Sequence, residues 1–210
     1  MGKVISLANQ KGGSGKTTIS ANLSVLWSNS GYKVAIVDAD NQKSLSNWYD
    51  ARKKYYGAED TGLTLFPYNA SNFENEIKDI KKSFDFVLID SPPSITYDSL
   101  IIVRSSSFVL VPVQPSPVDL LATIPFLDLV SRERKKSIIV LNRVLSRAKL
   151  TEAMILRLRY SGGKIARSKI SAKIIYAETF VVGRGIIDIG VTSAASKEII
   201  NLGNEVIRKL

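Results

Sequence analysis

The stretch ANQKGGSGKTT, near the start of the chain, combines glycines, lysines and hydroxyls in an order suited to holding phosphate groups. It nearly matches the phosphate-loop pattern G-x-x-x-x-G-K-[ST], whose end is formed by Gly15, Lys16 and Thr17. Glycines let backbone amides approach phosphate oxygens, the lysine reaches terminal phosphates, and the threonine hydroxyl can bind Mg²⁺. The pattern requires a glycine at position 10, but Gln10 is there, followed by a second lysine, Lys11.

Three aspartates follow apolar, strand-like runs and could serve the same chemistry. Asp38 and Asp40 end the run KVAIVDAD, and Asp90 follows FVLI. A strand-end carboxylate beside a phosphate loop can support Mg²⁺, often through water. If one strand continued through both Asp38 and Asp40, their side chains would share a face, so that one could support the metal and the other orient an attacking water. The alternative is that such an aspartate only caps a turn or helix.

The elements around these motifs alternate between strand-like and helix-like patterns. Strand patterns lie at 3–8, 33–40, 63–68, 84–93, 108–117 and 137–144, with a weaker one at 164–170. Helix patterns lie at 17–30, 45–56, 72–83, 118–133, 150–163 and 193–210, with a kink expected at Pro125. Alternating elements with almost wholly apolar strands predict an α/β fold of the P-loop NTPase-like class, in which a mostly parallel sheet has helices on both faces. Ligands gather at the carboxyl ends of such strands, where the glycine loop and the aspartates fall. We predict one domain over 1–210.

The composition restricts the available chemistry. The chain has 210 residues, no cysteine and no histidine. Thiol catalysis, disulfides and cysteine-held zinc or iron–sulfur sites are therefore excluded, and proton transfer near neutral pH falls to lysines, carboxylates and hydroxyls. No apolar run approaches the ~18 residues of a membrane span, and the start lacks a signal pattern, so we expect a cytoplasmic protein.

Positive charge is concentrated in one segment. The formal net charge is +10, and residues 132–173 hold 13 Lys/Arg against 2 Asp/Glu. Such a segment can bind nucleic acid or anionic lipid, or it can be a well-solvated helical surface.

KGGSGKTT, VDADNQ and LIDSPP, in that order, resemble the deviant Walker A, A′ and B motifs of the ParA/MinD ATPase superfamily. The resemblance covers essentially the whole chain and is closest to the short, ParF-like partition ATPases. It implies ATP and Mg²⁺ as ligands, slow hydrolysis of ATP to ADP and phosphate, and a sandwich homodimer formed with ATP. Glutamine before the signature lysine is usual in this family, so Gln10 is no defect. Asn41 departs from the family, in which proline is usual after the second aspartate.

The resemblance also implies roles for individual residues. Lys11 resembles the signature lysine that reaches the partner subunit's nucleotide, and Lys16 the lysine that binds the subunit's own phosphates. Asp40 resembles the carboxylate that positions hydrolytic water, so the implied catalytic set is Lys11, Lys16 and Asp40. The implied metal-associated residues are Thr17, Asp38 and Asp90. The implied nucleotide contacts are Lys11, Gly12, Gly13, Ser14, Gly15, Lys16, Thr17, Thr18, Asn142 and Arg143.

Two later motifs extend the resemblance. NRV follows a strand pattern and resembles the family's base-contacting asparagine and arginine, so Asn142 can read the amino and ring nitrogens of adenine. The segment PVQPSPVDL resembles the proline-rich motif of ParF-like ATPases, on the nucleotide and dimer side; otherwise it is a strand exit. Its motif residues are Pro112, Pro115, Ser116 and Pro117.

The resemblance implies DNA segregation, for a plasmid or a chromosome, as the function. The first strand pattern begins at Lys3, so we expect no N-terminal helix-turn-helix and only nonspecific DNA binding, with the protein associated with the nucleoid. A small centromere-binding, ParB/ParG-like partner would stimulate hydrolysis and release the dimer from DNA. The candidate phosphate contacts are Arg147, Arg157, Arg159, Lys164, Arg167, Lys169, Lys173 and Arg184.

Three alternatives remain open. A ParA-like ATPase could position a cargo other than DNA. A MinD-like, membrane-associated regulator would need an amphipathic C-terminal helix, whereas EIINLGNEVIRKL carries two glutamates and a glycine, which favours a packed helix and no membrane partner. A small-molecule amide ligase or kinase of the superfamily would respond to a metabolite rather than to DNA.

Overall fold

Strands and helices alternate along the chain and place one layer of helices on each face of a central sheet. The computed structural model describes residues 1–58, 61–145 and 149–210. Its strands are β1 Lys3–Leu7, β2 Val34–Asp38, β3 Leu63–Pro67, β4 Phe86–Asp90, β5 Phe108–Val113, β6 Ser137–Val144 and β7 Ile165–Ser171. Its helices are α1 Lys16–Asn29, α2 Ser44–Tyr56, α3 Phe73–Ser83, α4 Tyr97–Ser105, α5 Pro117–Arg132, α6 Lys149–Tyr160, α7 Ile175–Val181 and α8 Ala194–Ile207, with a 3₁₀ turn at Ile186–Ile189.

The sheet is parallel and has the strand order β3-β2-β4-β1-β5-β6-β7. Strand β1 is central, and the chain leaves it first toward one edge and later toward the other, which creates a crevice at the carboxyl ends of the strands. The register aligns Leu7 with Asp90, and Asp90 with Asp38. The last residues of three adjacent strands therefore lie side by side, directly below the glycine-rich loop.

The core has two layers because alternate residues of each strand point to opposite faces of the sheet. On one face, α1, α2, α7 and α8 pack on side chains such as Ile5 and Leu88, and they bury both tryptophans, Trp27 and Trp48, to 1% exposure. On the other face, α3 to α6 pack on residues such as Val87 and Val111. The burial of strands on both faces explains their continuous apolar sequences.

The predicted α/β class and parallel sheet are confirmed, with differences in detail. The prediction of one strand through Asp38 and Asp40 is wrong, since β2 ends at Asp38. Helices α4 and α7 were not predicted, because α4 has nine residues and α7 seven, too few turns for a clear periodic pattern. Helix α5 continues through Pro125. None of the helices in the described ranges is long and apolar enough to cross a membrane.

Candidate nucleotide site

The glycine-rich loop connects β1 to α1 and has the backbone shape of an anion-binding nest. Gly13 and Gly15 have φ of 74° and 98°, a left-handed conformation that glycine adopts without steric cost. Helix α1 begins at Lys16, so the unpaired N–H groups of its first turn face the same space as the loop amides. The sequence thus builds a phosphate site from backbone groups and a helix end.

Lys16 lies inside this site although it carries a positive charge. Its side chain is 5% exposed, and Nζ donates a hydrogen bond to the Lys11 carbonyl oxygen at 3.3 Å. Burial lowers the pKa of Lys16, while the nearby carboxylates of Asp90 and Asp40 act in the opposite direction. A phosphate group would supply the charged partner that this ammonium lacks.

Asp90, at the end of β4, is a carboxylate without hydrogen bonds in the protein interior. Its exposure is 0%, and neither oxygen has a hydrogen-bond partner among the described residues. Burial raises the pKa of Asp90, the neighbouring Thr17 hydroxyl lowers it, and the charge of Asp38 raises it again. Buried polar atoms are almost always satisfied, so an unpartnered carboxylate beside a threonine hydroxyl fits a Mg²⁺ ion or its water shell.

The residues available to such an ion are few. The described part of the chain contains no group of three or more Asp, Glu, His or Cys residues placed to hold a metal. Mg²⁺ that is bound together with nucleotide keeps several waters and takes one or two protein ligands plus phosphates. Thr17 and Asp90 are the residues that fit it.

Asp38 is engaged in holding helix α2. Its Oδ2 accepts hydrogen bonds from the Ser46 backbone N–H and hydroxyl, each at 2.8 Å, and Oδ1 accepts one from the Asp40 N–H at 3.2 Å. The bond from the Ser46 N–H satisfies one amide in the first turn of the helix, which is the capping role left open for a strand-end aspartate. A metal-associated role for Asp38 stays a prediction.

Asp40 lies in the short connection between β2 and α2, two residues after the end of β2. It is half-buried, and its Oδ1 accepts a hydrogen bond from the Gln42 N–H at 3.0 Å. Its charge acts on Lys16, which places the two groups at one site. The position suits a carboxylate that orients water, which stays a prediction.

Asn142 and Arg143 lie near the end of β6, and they differ in environment. Asn142 is 5% exposed and donates from Nδ2 to the Ser14 carbonyl oxygen at 2.8 Å, whereas Arg143 is exposed with φ of 53°. Both line a cavity of about 590 Å³, together with Thr18 and Phe180 among others. The cavity has room for a purine base, but the predicted adenine contact stays a prediction, and one donor of Asn142 is committed to the loop.

The proline-rich segment, which begins in β5, also contacts the loop. Pro112 belongs to β5, Pro117 is the first residue of α5, and the Ser116 hydroxyl accepts the N–H of Asp119 as the helix N-cap. Between the prolines, Gln114 donates from Nε2 to the Gly13 carbonyl oxygen at 2.7 Å. Sequence reasoning missed Gln114, since nothing in its neighbours indicates a contact with the phosphate loop.

The candidate DNA contacts are distributed unequally over the surface. Five of them are exposed on α6, β7 and the connection between them: Arg157, Arg159, Lys164, Arg167 and Lys169. Lys173 pairs with Glu198, and Arg184 donates to the Asp188 carbonyl oxygen at 2.6 Å, so both are engaged within the protein. Arg147 lies outside the described residues.

Comparisons with known proteins identify the family of the chain. Residues 5–181 match the family described as the CobQ/CobB/MinD/ParA nucleotide binding domain. The chain belongs to this family. The match confirms the predicted superfamily, and the chain is a ParA/MinD-type ATPase by descent.

Individual relatives extend the match along the chain. The "Maintenance of carboxysome distribution protein A" of Halothiobacillus neapolitanus is 32% identical over 97% of this chain and 95% of its own. The cell division ATPase MinD of Pyrococcus furiosus has a similar fold, with a TM-score of 0.82, 24% identity and 99% of both chains covered. A plasmid partition protein of Borrelia burgdorferi bound to AMPPNP has a TM-score of 0.78, 19% identity and 100% of both chains covered.

Proposed function

We propose that this chain is a positioning ATPase that hydrolyses Mg²⁺-ATP and uses an ATP-bound homodimer to hold a cargo on DNA. The observation that supports it best is the edge of the sheet, where Lys16 and Asp90 are buried, oppositely charged when ionised, and without a direct ion pair in the described residues. The phosphates of a bound nucleotide would give Lys16 a negatively charged partner, and the accompanying Mg²⁺ would give Asp90 a positively charged one.

Each residue of the site has a distinct task in the proposed reaction. Lys16 and the loop amides bind the terminal phosphates of the subunit's own nucleotide. Thr17 and Asp90 hold Mg²⁺, which, when bound, neutralises phosphate charge. Asp40 accepts a hydrogen bond from the attacking water and so aligns it with the terminal phosphorus. Because the chain has no histidine, a carboxylate is the side chain best suited to align the attacking water.

Lys11 is the residue on which the proposed homodimer depends. Its side chain is half-buried, and its ammonium makes no ion pair with any residue that the structure describes. In this proposal Lys16 binds the phosphates of the subunit's own nucleotide. Lys11 is therefore available to bind a nucleotide in a second copy of the chain. We propose that this contact makes dimerisation depend on ATP.

The DNA contacts in this proposal are the five exposed cations of α6, β7 and the connection between them. Contacts to phosphates carry no sequence information, so the dimer would bind DNA nonspecifically, with an affinity that falls steeply as salt rises. A partner protein would stimulate hydrolysis and release the dimer. Cosedimentation with DNA or with anionic liposomes, both with ATP, tests this: binding to liposomes alone would indicate a MinD-like protein.

Two kinds of cargo are candidates. The first is a replicon, as in the plasmid partition protein with a similar fold. The second is a large protein assembly, and the 32% identical relative, whose description concerns carboxysome distribution, favours it. Deletion of the gene separates them: loss of a low-copy replicon from dividing cells supports segregation, whereas stable inheritance with clustered protein assemblies supports the second cargo.

Three substitutions test the ATPase cycle. Lys16→Ala should abolish ATP binding, and Lys11→Ala should bind ATP but stay monomeric in size-exclusion chromatography with light scattering. Asp40→Ala should bind ATP and DNA but release no phosphate. An ATP-dependent dimer of Lys16→Ala would contradict the phosphate role, and phosphate release by Asp40→Ala would contradict the catalytic one.

A further inference from the structure

Three amide side chains surround the phosphate loop, each from a different segment. Asn9, at the end of β1, accepts the Lys11 N–H at 3.2 Å and donates to the Pro112 carbonyl oxygen at 2.8 Å. Asn142, from β6, donates to the Ser14 carbonyl oxygen, and Gln114 donates to the Gly13 carbonyl oxygen. The loop is therefore held from β5, which pairs with β1, and from β6, the next strand beyond β5.

The two carbonyl contacts have a clear electrostatic consequence. A nest binds anions because successive N–H groups point inward, and this requires the carbonyl oxygens between them to point outward. Gly13 and Gly15 can rotate their peptides freely, since glycine has no Cβ. A rotated peptide would turn a carbonyl dipole toward the phosphates. Gln114 and Asn142 oppose this rotation because they hydrogen-bond two successive carbonyl oxygens, those of Gly13 and Ser14.

The two amides differ in how they are held. Asn142 is buried and so closely packed that a Cβ on Gly15 would overlap its Nδ2. Gln114 is half-buried and belongs to the proline-rich segment. Pro115 restricts Gln114 to extended backbone conformations, and the Ser116 N–H donates to the Gln114 carbonyl oxygen at 2.8 Å. Gln114 thus lies in a conformationally restricted segment, outside the buried part of the nucleotide site.

We propose that Gln114 is a positioning residue for ATP binding, which keeps the Gly13 carbonyl oxygen out of the phosphate cavity and makes the loop's shape depend on the proline-rich segment. The proposal rests on the proposed function, because it concerns the same nucleotide. It gives the segment a role in the affinity for ATP within one subunit, in addition to the role at the dimer side that the resemblance implies.

The test is direct binding of a fluorescent ATP analogue to the Gln114→Ala and Gln114→Glu variants. A lost hydrogen bond to a loop carbonyl should weaken ATP binding about 10-fold for alanine. Turnover at saturating ATP should change much less, because no reacting atom touches Gln114. Glutamate has the same shape but, when ionised, no donor and a repelling charge, so Gln114→Glu should bind more weakly than Gln114→Ala at neutral pH.

The glutamate variant also supplies a readout that a purely structural role would not give. A protonated glutamate regains an O–H donor, so its affinity should rise as pH falls and exceed that of Gln114→Ala measured at the same acidic pH. Asn201→Ala, an exposed amide on α8, is the matched control and should bind as the wild type does. Thermal denaturation of each variant confirms that it is folded.

The outcomes separate this proposal from the proposed function. If the wild type does not bind the analogue, the ATPase proposal itself fails. If the wild type binds it and folded Gln114→Ala binds equally well, only the positioning role is overturned. A Gln114→Glu variant that never exceeds Gln114→Ala at acidic pH would also overturn it, since the donor would then be irrelevant.

Discussion

A buried ion pair joins the helix that follows Asp40 to the 3₁₀ turn, and its removal should strongly destabilise the protein. Arg52 of α2 and Asp188 have side chains 4% and 6% exposed, and Nη1 lies 2.6 Å from Oδ2. Arg52 also donates from Nε to the Thr61 carbonyl oxygen at 2.8 Å and from Nη1 to the Gly183 carbonyl oxygen at 3.2 Å. Its guanidinium lies 4.6 Å from the centre of the Tyr56 ring.

Arg52→Ala would leave the Asp188 carboxylate buried without its countercharge. Breaking a buried pair in this way costs about 3–5 kcal/mol. Asp188 would keep the Gly185 N–H at 2.8 Å and the Asn29 amide at 3.3 Å, so we expect the lower end, about 3 kcal/mol. For a domain of this size that corresponds to a decrease in Tm of roughly 6–12 °C.

Urea denaturation followed by circular dichroism measures this loss, and a double-mutant cycle identifies its source. Asp188→Asn alone leaves the guanidinium without its carboxylate, whereas Arg52→Met with Asp188→Asn removes both charges. The double variant should therefore be destabilised by clearly less than the sum of Arg52→Met and Asp188→Asn. A loss below about 1 kcal/mol for Arg52→Ala, or strict additivity in the cycle, would refute the reasoning.

Two further predictions concern backbone conformation and pH. Gly183→Ala should be among the most destabilising substitutions, because its φ is 72° and a Cβ would overlap the backbone of Arg52. Gly31 has a φ of 88°, but a Cβ there would meet no neighbouring atom, so Gly31→Ala should lower the free energy of unfolding by only about 1 kcal/mol. Comparison of the two by thermal denaturation tests this, and equal losses would contradict it. Burial raises the pKa of Glu205, but hydrogen bonds from two backbone N–H groups and a hydroxyl prevail, so that its pKa lies below the usual value. Stability from this carboxylate is present above the unfolded-state pKa and is lost as pH falls through the native one. Glu205→Gln should accordingly be less stable at neutral pH and lose less on acidification; an unchanged pH dependence in urea denaturation would contradict it.

The sequence predicted those parts of the site that short segments encode by themselves. The glycine loop that contains Lys16 follows one apolar run and Asp90 follows another, and the position of a residue at a strand end is visible in its neighbours. Membership in the family followed from the same segments, and the family match confirms it.

Contacts between distant segments could not be predicted in this way. Gln114 is separated from Gly13 by 101 residues, and Asn142 from Ser14 by 128, so both contacts depend on the order of the strands in the sheet. Asp38 shows a different limit. Its partner, Ser46, is only eight residues away, but the end of β2 had to be known before the carboxylate could be assigned to the helix.

The two buried tryptophans give the protein an intrinsic optical probe. Trp48 lies in α2, the helix that follows Asp40, and its indole N–H donates to the Arg184 carbonyl oxygen at 3.4 Å. Trp27 lies near the C-terminal end of α1, stacked on Phe86 with ring centres 4.5 Å apart. Since the chain has no other tryptophan, Trp27→Phe leaves Trp48 as the single tryptophan, on the helix that Asp38 anchors. The wavelength and intensity of its fluorescence would then report changes in the environment of that helix in real time, without an attached dye.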